Sequence, residues 1–152
     1  FINNAGMMGR SQQNFNSVSA EPWLEVLKVN LIAPLLITQS IIDNIKKGFD
    51  KKIYFLSSRV GSIEDNSGGG RYIYRSSKTA LNQVVKSLSI DLKSLGITVI
   101  SLHPGWVRTD MGGPNALISI DESIDGMMSV IEKTDIKNTG QFLNYDGNEI
   151  PW

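Results

Sequence analysis

The sequence predicts an α/β domain built on a parallel sheet, and two observations carry the prediction. Ile53-Tyr54-Phe55-Leu56 and Ile97-Thr98-Val99-Ile100-Ser101-Leu102 are near-continuous apolar runs rather than alternating ones, the pattern of parallel strands covered on both faces. Helical segments separate the strand signals. The resulting order of strand end, helix, strand, helix, strand, helix, strand implies right-handed crossovers.

Each element has its own signal. Phe1-Ile2-Asn3-Asn4-Ala5-Gly6 reads as the end of a buried strand running into a turn. A first helix is predicted from about Pro22, a residue suited to a helix start, to Lys47, with Gly48 to end it. From Val29 to Ile37 it is apolar almost all round, so it should pack on the sheet and present a second face to another subunit. The strand at residues 53–56 ends at Ser57-Ser58, followed by a loop from Ser62 to Arg71 that holds the flexible Ser67-Gly68-Gly69-Gly70. A second helix is predicted from about Ile73 to Leu95, because Tyr74, Lys78, Leu81, Val85, Leu88, Leu92 and Leu95 form one stripe at steps of four and three. The next strand starts after Gly96 and ends at His103-Pro104-Gly105. A third helix, about Ile120 to Lys133, opens with Asp121 and Glu122 where acidic side chains favour the positive helix end. Gln141-Phe142-Leu143 is the last strand, closed by the Asp146-Gly147 turn.

Composition narrows the function. The 152 residues carry 15 Lys+Arg against 15 Asp+Glu, a net charge of zero, which argues against nucleic acid or an anionic membrane as partner. With 41% hydrophobic and 20% charged residues, residues 1–152 suit one globular domain with a real core. Absence of cysteine removes disulfides, thiolate metal sites and a Cys nucleophile, and fits the cytoplasm. The longest charge-free apolar stretch, Val29 to Ile42, falls short of the roughly 18 residues of a membrane span.

Tyr74 and Lys78 lie four apart, neighbours on one helix face. A lysine on the sheet-facing stripe is costly to bury, so it either snorkels out or serves the chemistry by lowering the Tyr74 pKa from its usual value of about 10. Ser58 ends the preceding strand at the carboxyl edge, where open α/β sheets place their sites. Ser58, Tyr74 and Lys78 can therefore meet there and bind a carbonyl, with Tyr74 as proton donor. Pro34 has no N–H for the carbonyl of Asn30, so the helix should kink and the freed carbonyl could hold a water near Lys78; the alternative is a tolerated kink with Asn30 a satisfied core amide. His103 reads as a hydrogen-bonded structural residue. Trp106 reads equally as pocket wall or surface loop, and Met127-Met128 as core filling. No Gly-x-Ser-x-Gly elbow supports a hydrolase.

Asn4-Ala5-Gly6, Asn30, Ser58, Tyr74-x-x-x-Lys78 and Pro104-Gly105-x-x-x-Thr109 stand in an order and spacing that resembles the short-chain dehydrogenase/reductase family over essentially the whole chain. Within it the chain is most similar to the sniffer and C-factor type of carbonyl reductase, through Ser58-Arg59-Val60-Gly61-Ser62, Tyr74-Arg75-Ser76-Ser77-Lys78, the run from His103 to Pro114, and the ending Phe142-Leu143-Asn144-Tyr145-Asp146-Gly147. The resemblance implies a Rossmann-type, doubly wound fold and a carbonyl reductase or alcohol dehydrogenase using NAD(P)H, with NADP expected and NAD not excluded. It implies Tyr74 as acid/base, Ser58 as the group orienting the carbonyl, and Lys78 as the residue that lowers the Tyr74 pKa and binds the nicotinamide ribose. Asn30 would support a water-mediated proton relay, and Asn4, Ala5 and Gly6 would brace the sheet beside the cofactor. Pro104 and Gly105 would form the turn from which Val107 and Thr109 touch the carboxamide. It also implies a homodimer through the helices near 22–47 and 73–95.

Two departures from the family pattern stand out. The Ser58–Tyr74 gap is long, as is usual for the sniffer-like branch, and Ser57 is the weaker candidate because Ser58 has the family spacing to Gly61. No glycine-rich turn stands between a strand and a helix, where the pyrophosphate needs close backbone approach. The expectation is that this chain is the catalytic C-terminal part of a longer enzyme, with roughly 90 residues in three strand–helix units upstream, and that it binds cofactor poorly alone. The alternative is a non-enzymatic interaction or signalling domain of the same fold.

Overall fold

A computed structural model describes residues 1–152. Four parallel strands stand in sequence order: β1 (Ile2–Asn3), β2 (Lys52–Leu56), β3 (Thr98–His103) and β4 (Phe142–Asn144). Tyr54 faces Ile100 in the β2–β3 register, and Leu102 faces Leu143 in β3–β4. The apolar runs are buried on both faces, as their composition requires. Ile53 and Phe55 pack with Val99 against Leu81 and Val85 of one helix, while Tyr54, Ile100 and Leu102 pack against Val130 of another. β1 departs from the expected buried strand: it lies at the sheet edge with Ile2 about half exposed.

Between β1 and β2 runs a rod formed by α1 (Ala20–Leu27), a π-helical turn (Lys28–Ile32) and α2 (Ala33–Lys47). The expected kink is a widened turn instead. Pro34 cannot donate to the Asn30 carbonyl, and the Ala33 N–H reaches back to Lys28. The helix thereby continues as 28 residues with a window of mean hydropathy 1.4, long and apolar enough by composition to cross a membrane, which the charge-free stretch alone did not indicate. In this fold it packs beside the sheet, with Pro22, Val26, Asn30, Pro34 and Thr38 forming its buried stripe.

Helix α3 (Tyr72–Asp91) links β2 to β3, and α4 (Ile120–Lys133) links β3 to β4. The α3 stripe is buried from Tyr74 to Val85 and fades toward an exposed Leu95, because regular helix ends at Asp91 and a 3₁₀ turn (Lys93–Leu95) leads to left-handed Gly96. α3 and α4 pack on opposite faces although their strands step in the same direction. The two crossovers therefore have opposite hands, and right-handedness does not hold for both. Residues 104–119, an irregular excursion over the carboxyl edge, carry the chain to the other face. Of the paired methionines Met127 packs on the core, whereas Met128 is half exposed.

Candidate active site

The carboxyl ends of β2 and β3 and the amino end of α3 converge on one edge. The pleat turns Ser57 inward, where its hydroxyl donates to Asn82 at 2.6 Å, and leaves Ser58 facing the site. Gly61, in a short 3₁₀ turn (Arg59–Gly61), lets this segment lie on α3: a Cβ there would stand 2.9 Å from the Lys78 carbonyl carbon.

Tyr74 and Lys78 occupy the first turns of α3, both buried, with the Lys78 Nζ 5.8 Å from the Tyr74 ring centroid. Lys78 does not snorkel. Its Nζ donates to the Leu56 carbonyl at 2.8 Å and forms no ion pair within salt-bridge distance. Burial pushes its pKa down to about 8. Burial pushes the Tyr74 phenol up from its usual range, with the Ser58 side chain and then Arg71 pulling it back.

Asn30 is wholly buried, but its side chain is spoken for. Its Oδ1 accepts from the Met7 N–H and its Nδ2 donates to the Met7 carbonyl, both at 2.8 Å, and Nδ2 also donates to Ser77 Oγ at 3.0 Å. The amide thus pins the chain that follows Asn4-Ala5-Gly6 onto α3. Asn4, Ala5 and Gly6 run exposed from the end of β1, and a Cβ on Gly6 would fill the space 3.4 Å from the Lys78 Nζ and 3.6 Å from Asn30 Oδ1.

Pro104 and Gly105 make the turn after β3, with Gly105 at φ +87°, a left-handed conformation that favours glycine. Val107 bridges to Ile118, and the Thr109 hydroxyl accepts the Gly112 N–H at 3.2 Å, closing a compact loop at the same edge. Trp106 is half exposed, its indole N–H donating to the Gly112 carbonyl at 2.7 Å. His103 departs from its expectation: its Nδ1 is buried without a hydrogen-bond partner, and burial first, then Arg59, push its pKa down to about 4.

The residues present fit the nicotinamide end of a dinucleotide. Lys78 holds one acceptor and keeps two N–H donors free, and the Gly6 gap beside it is a cradle that any side chain would fill. Nothing in the 152 residues provides the glycine-rich turn for the pyrophosphate.

Two positioning features had no sequence signal. Gln13, 4% exposed, caps the start of α3. The Trp152 carbonyl accepts the N–H groups of Ile63 and Glu64, each at 3.2 Å, tying down the loop between Ser58 and Tyr74. An isolated Gln in a polar loop and a backbone acceptor at a distant position carry no periodicity or spacing by which to find them.

Known proteins resemble this chain in sequence and fold. The family model for short chain dehydrogenase matches residues 1–117. C-signal of Myxococcus xanthus is 38% identical over 151 residues, covering 99% of this chain and 90% of that protein. An uncharacterized oxidoreductase of Schizosaccharomyces pombe is 35% identical over 159 residues, covering 91% of this chain and 63% of that one. Among solved structures, the carbonyl reductase Sniffer of D. melanogaster superposes with a TM-score of 0.94 at 36% identity, covering 99% of this chain and 65% of that one. The NADPH-bound carbonyl reductase from chicken fatty liver gives 0.92 at 36% identity, covering 99% and 64%. The chain thus spans about two thirds of those structures.

Proposed function

The chain belongs to the short chain dehydrogenase family, and from that premise we propose that it carries the proton-transfer machinery of a carbonyl reductase working with NADPH, or less favourably NADH, on a small carbonyl or alcohol. The convergence of Ser58, Tyr74 and a buried Lys78 without a carboxylate on one sheet edge carries the reading. Carbonyl reductases among the similar structures, one described as NADPH-bound, support the substrate class and the cofactor.

The bound dinucleotide would supply a hydride to the carbonyl carbon. Ser58 donates a hydrogen bond to the carbonyl oxygen and Tyr74 gives that oxygen its phenolic proton. The raised Tyr74 pKa keeps the phenol protonated near neutral pH, the form that reduction needs. Lys78, still mostly an ammonium at pH 7, stabilises the phenolate left behind and offers its free N–H donors to the ribose. Asn30 holds Met7, and with it the Asn4–Gly6 segment, and ties it to α3 through Ser77. Pro104 and Gly105 set the turn from which Val107 and Thr109 line the nicotinamide side. We further propose a cytoplasmic location, in keeping with a chain free of cysteine, and a homodimer paired through α3 and the α1–α2 rod, whose exposed Leu24, Ile32 and Leu36 support the pairing.

In the natural protein, Tyr74→Phe is expected to lower kcat for NADPH oxidation with a reactive dicarbonyl by about 10²- to 10⁴-fold. Unchanged turnover would remove Tyr74 from the mechanism. A second reading, a non-enzymatic signalling domain, is favoured by one observation: the chain covers 90% of C-signal. Titrating residues 1–152 with NADPH by fluorescence bears on both. No saturation is expected from a part lacking a pyrophosphate turn, and saturable binding would overturn the view that cofactor binding needs more chain.

A further inference from the structure

The catalytic helix starts without a cap of its own. Arg71 sits at its N-cap position in a left-handed conformation (φ 50°), with no side-chain hydrogen bond to the first turn. A helix leaves its first N–H groups without partners, and buried ones are costly. Here they are met from elsewhere in the chain. The Gln13 carbonyl accepts the Tyr72 N–H at 3.2 Å, and the Gln13 side-chain Oε1 accepts the Tyr74 N–H at 2.9 Å.

The other end of the same carboxamide holds the preceding loop. Gln13 Nε2 donates to the Met8 carbonyl at 2.7 Å and to the Arg10 carbonyl at 2.8 Å. One acceptor facing an N–H and one amino group facing two carbonyls leave a single orientation for the amide. Gly9 makes the loop possible: at φ +79° it turns between those two carbonyls, and a Cβ there would lie 2.7 Å from Val26. Asn30 of the α1–α2 rod clamps Met7 one residue earlier and itself bonds Ser77 of α3, so the stretch from Met7 to Gln13 is tied to the helix that bears Tyr74 directly at one end and through Asn30 at the other.

We infer that Gln13 is a positioning residue for Tyr74: its buried carboxamide locks the backbone of the proton donor to the segment that flanks the Gly6 cradle, so that the phenol and this wall of the site keep a fixed separation. Gln13 touches neither reacting atoms nor cofactor; it acts through the Tyr74 main chain. The inference rests on the reading of Tyr74 as proton donor.

Two variants separate the halves of the lock. Gln13→Met removes the Oε1 acceptor and the Nε2 donor at similar volume. Gln13→Glu keeps an acceptor for Tyr74 and sets a carboxylate against the Met8 and Arg10 carbonyls. Hydrogen exchange on residues 1–152 should show the Tyr74 amide about ten-fold less protected in Gln13→Met, the size of a lost cap, and near normal in Gln13→Glu. In the natural protein, kcat should fall about ten- to a hundred-fold in Gln13→Met while KM for the carbonyl substrate changes little, since the loss is in alignment. Gln13→Glu should fall less. A residue that only stabilises the fold would lower the melting temperature of Gln13→Met and leave kcat as it was. That result, or an unchanged Tyr74 amide, overturns the inference. If Tyr74→Phe in the same assay keeps its turnover, the functional reading falls and takes the catalytic meaning of Gln13 with it. If Tyr74→Phe is inactive and Gln13→Met is normal, Gln13 alone is wrong.

Discussion

Burying an ammonium against a single carbonyl is costly, and Lys78 bears that cost without a carboxylate to offset it. The cost depends on pH in a defined direction. Lys78 releases its proton near pH 8 when folded and at its ordinary 10.5 when unfolded, so between these values the unfolded chain binds more protons and stability rises with pH. Above pH 10 buried Tyr54 and Tyr74 oppose the rise, because they hold their protons after the unfolded phenols have lost theirs. Urea titrations should show a rise in stability from pH 8 toward 10 that Lys78→Met abolishes. His103 acts on the acid side. Its folded pKa of about 4 lies below the ordinary 6.5, so its contribution is intact above 6.5 and is lost as pH falls through that window. As the one histidine in the chain, it gives a single imidazole signal by NMR, whose midpoint near 4 checks this directly. Residues with chemistry were legible where they broke a pattern: a lysine on an apolar stripe, a proline after an asparagine, a serine at a strand end. His103 Nδ1 and Gln13 broke none, since their states depend on what folds around them.

At the scale of elements, the boundaries that were legible are those written in local chemistry. α4 spans Ile120 to Lys133 as expected because Ser119 and Glu122 form a reciprocal capping box and acidic residues fill the first turn. Ser119→Ala should cost about 0.5–2 kcal/mol, measured by urea denaturation. α3 stops at Asp91, short of the expected Leu95, because the leucine stripe continues into a 3₁₀ turn rather than regular helix. Close approach rather than composition governs the turn before α3. Gly61→Ala drives a methyl into the Lys78 backbone and should destabilise the chain by about 1–3 kcal/mol, with a further effect on Lys78 itself visible as a shifted alkaline limb in the same titration. The hand of the β3–α4–β4 connection was not legible, because residues 104–119 have no period and their path is set by the carboxyl edge they cross.

Over the whole molecule, the two edges of the sheet are treated differently. β4 is covered by its own return: the Asn144 N–H donates to Asn148 and the Ile150 N–H to Phe142, both at 2.8 Å, so that edge is closed to another strand. The outer side of β1 has no such cover, and the rod formed by α1 and α2 exposes Leu24, Ile32 and Leu36. If the rod pairs subunits, Leu36→Glu should shift the protein to monomer in light scattering after size exclusion while leaving its circular dichroism unchanged; an unaltered mass moves the interface elsewhere. The far end of the chain has a further reach. Trp152 stacks on Phe142 with ring centroids 5.5 Å apart while its carbonyl holds the Ile63–Glu64 turn, so the last residue described is stitched to the loop that leads from Ser58 to Tyr74. An affinity handle or fluorescent fusion joined there would tug on that loop, and an assay of such a fusion would report the handle as much as the proposed site. Gly68 and Gly69, around which an added atom would meet nothing within 4 Å, offer a quieter attachment point in the middle of the chain.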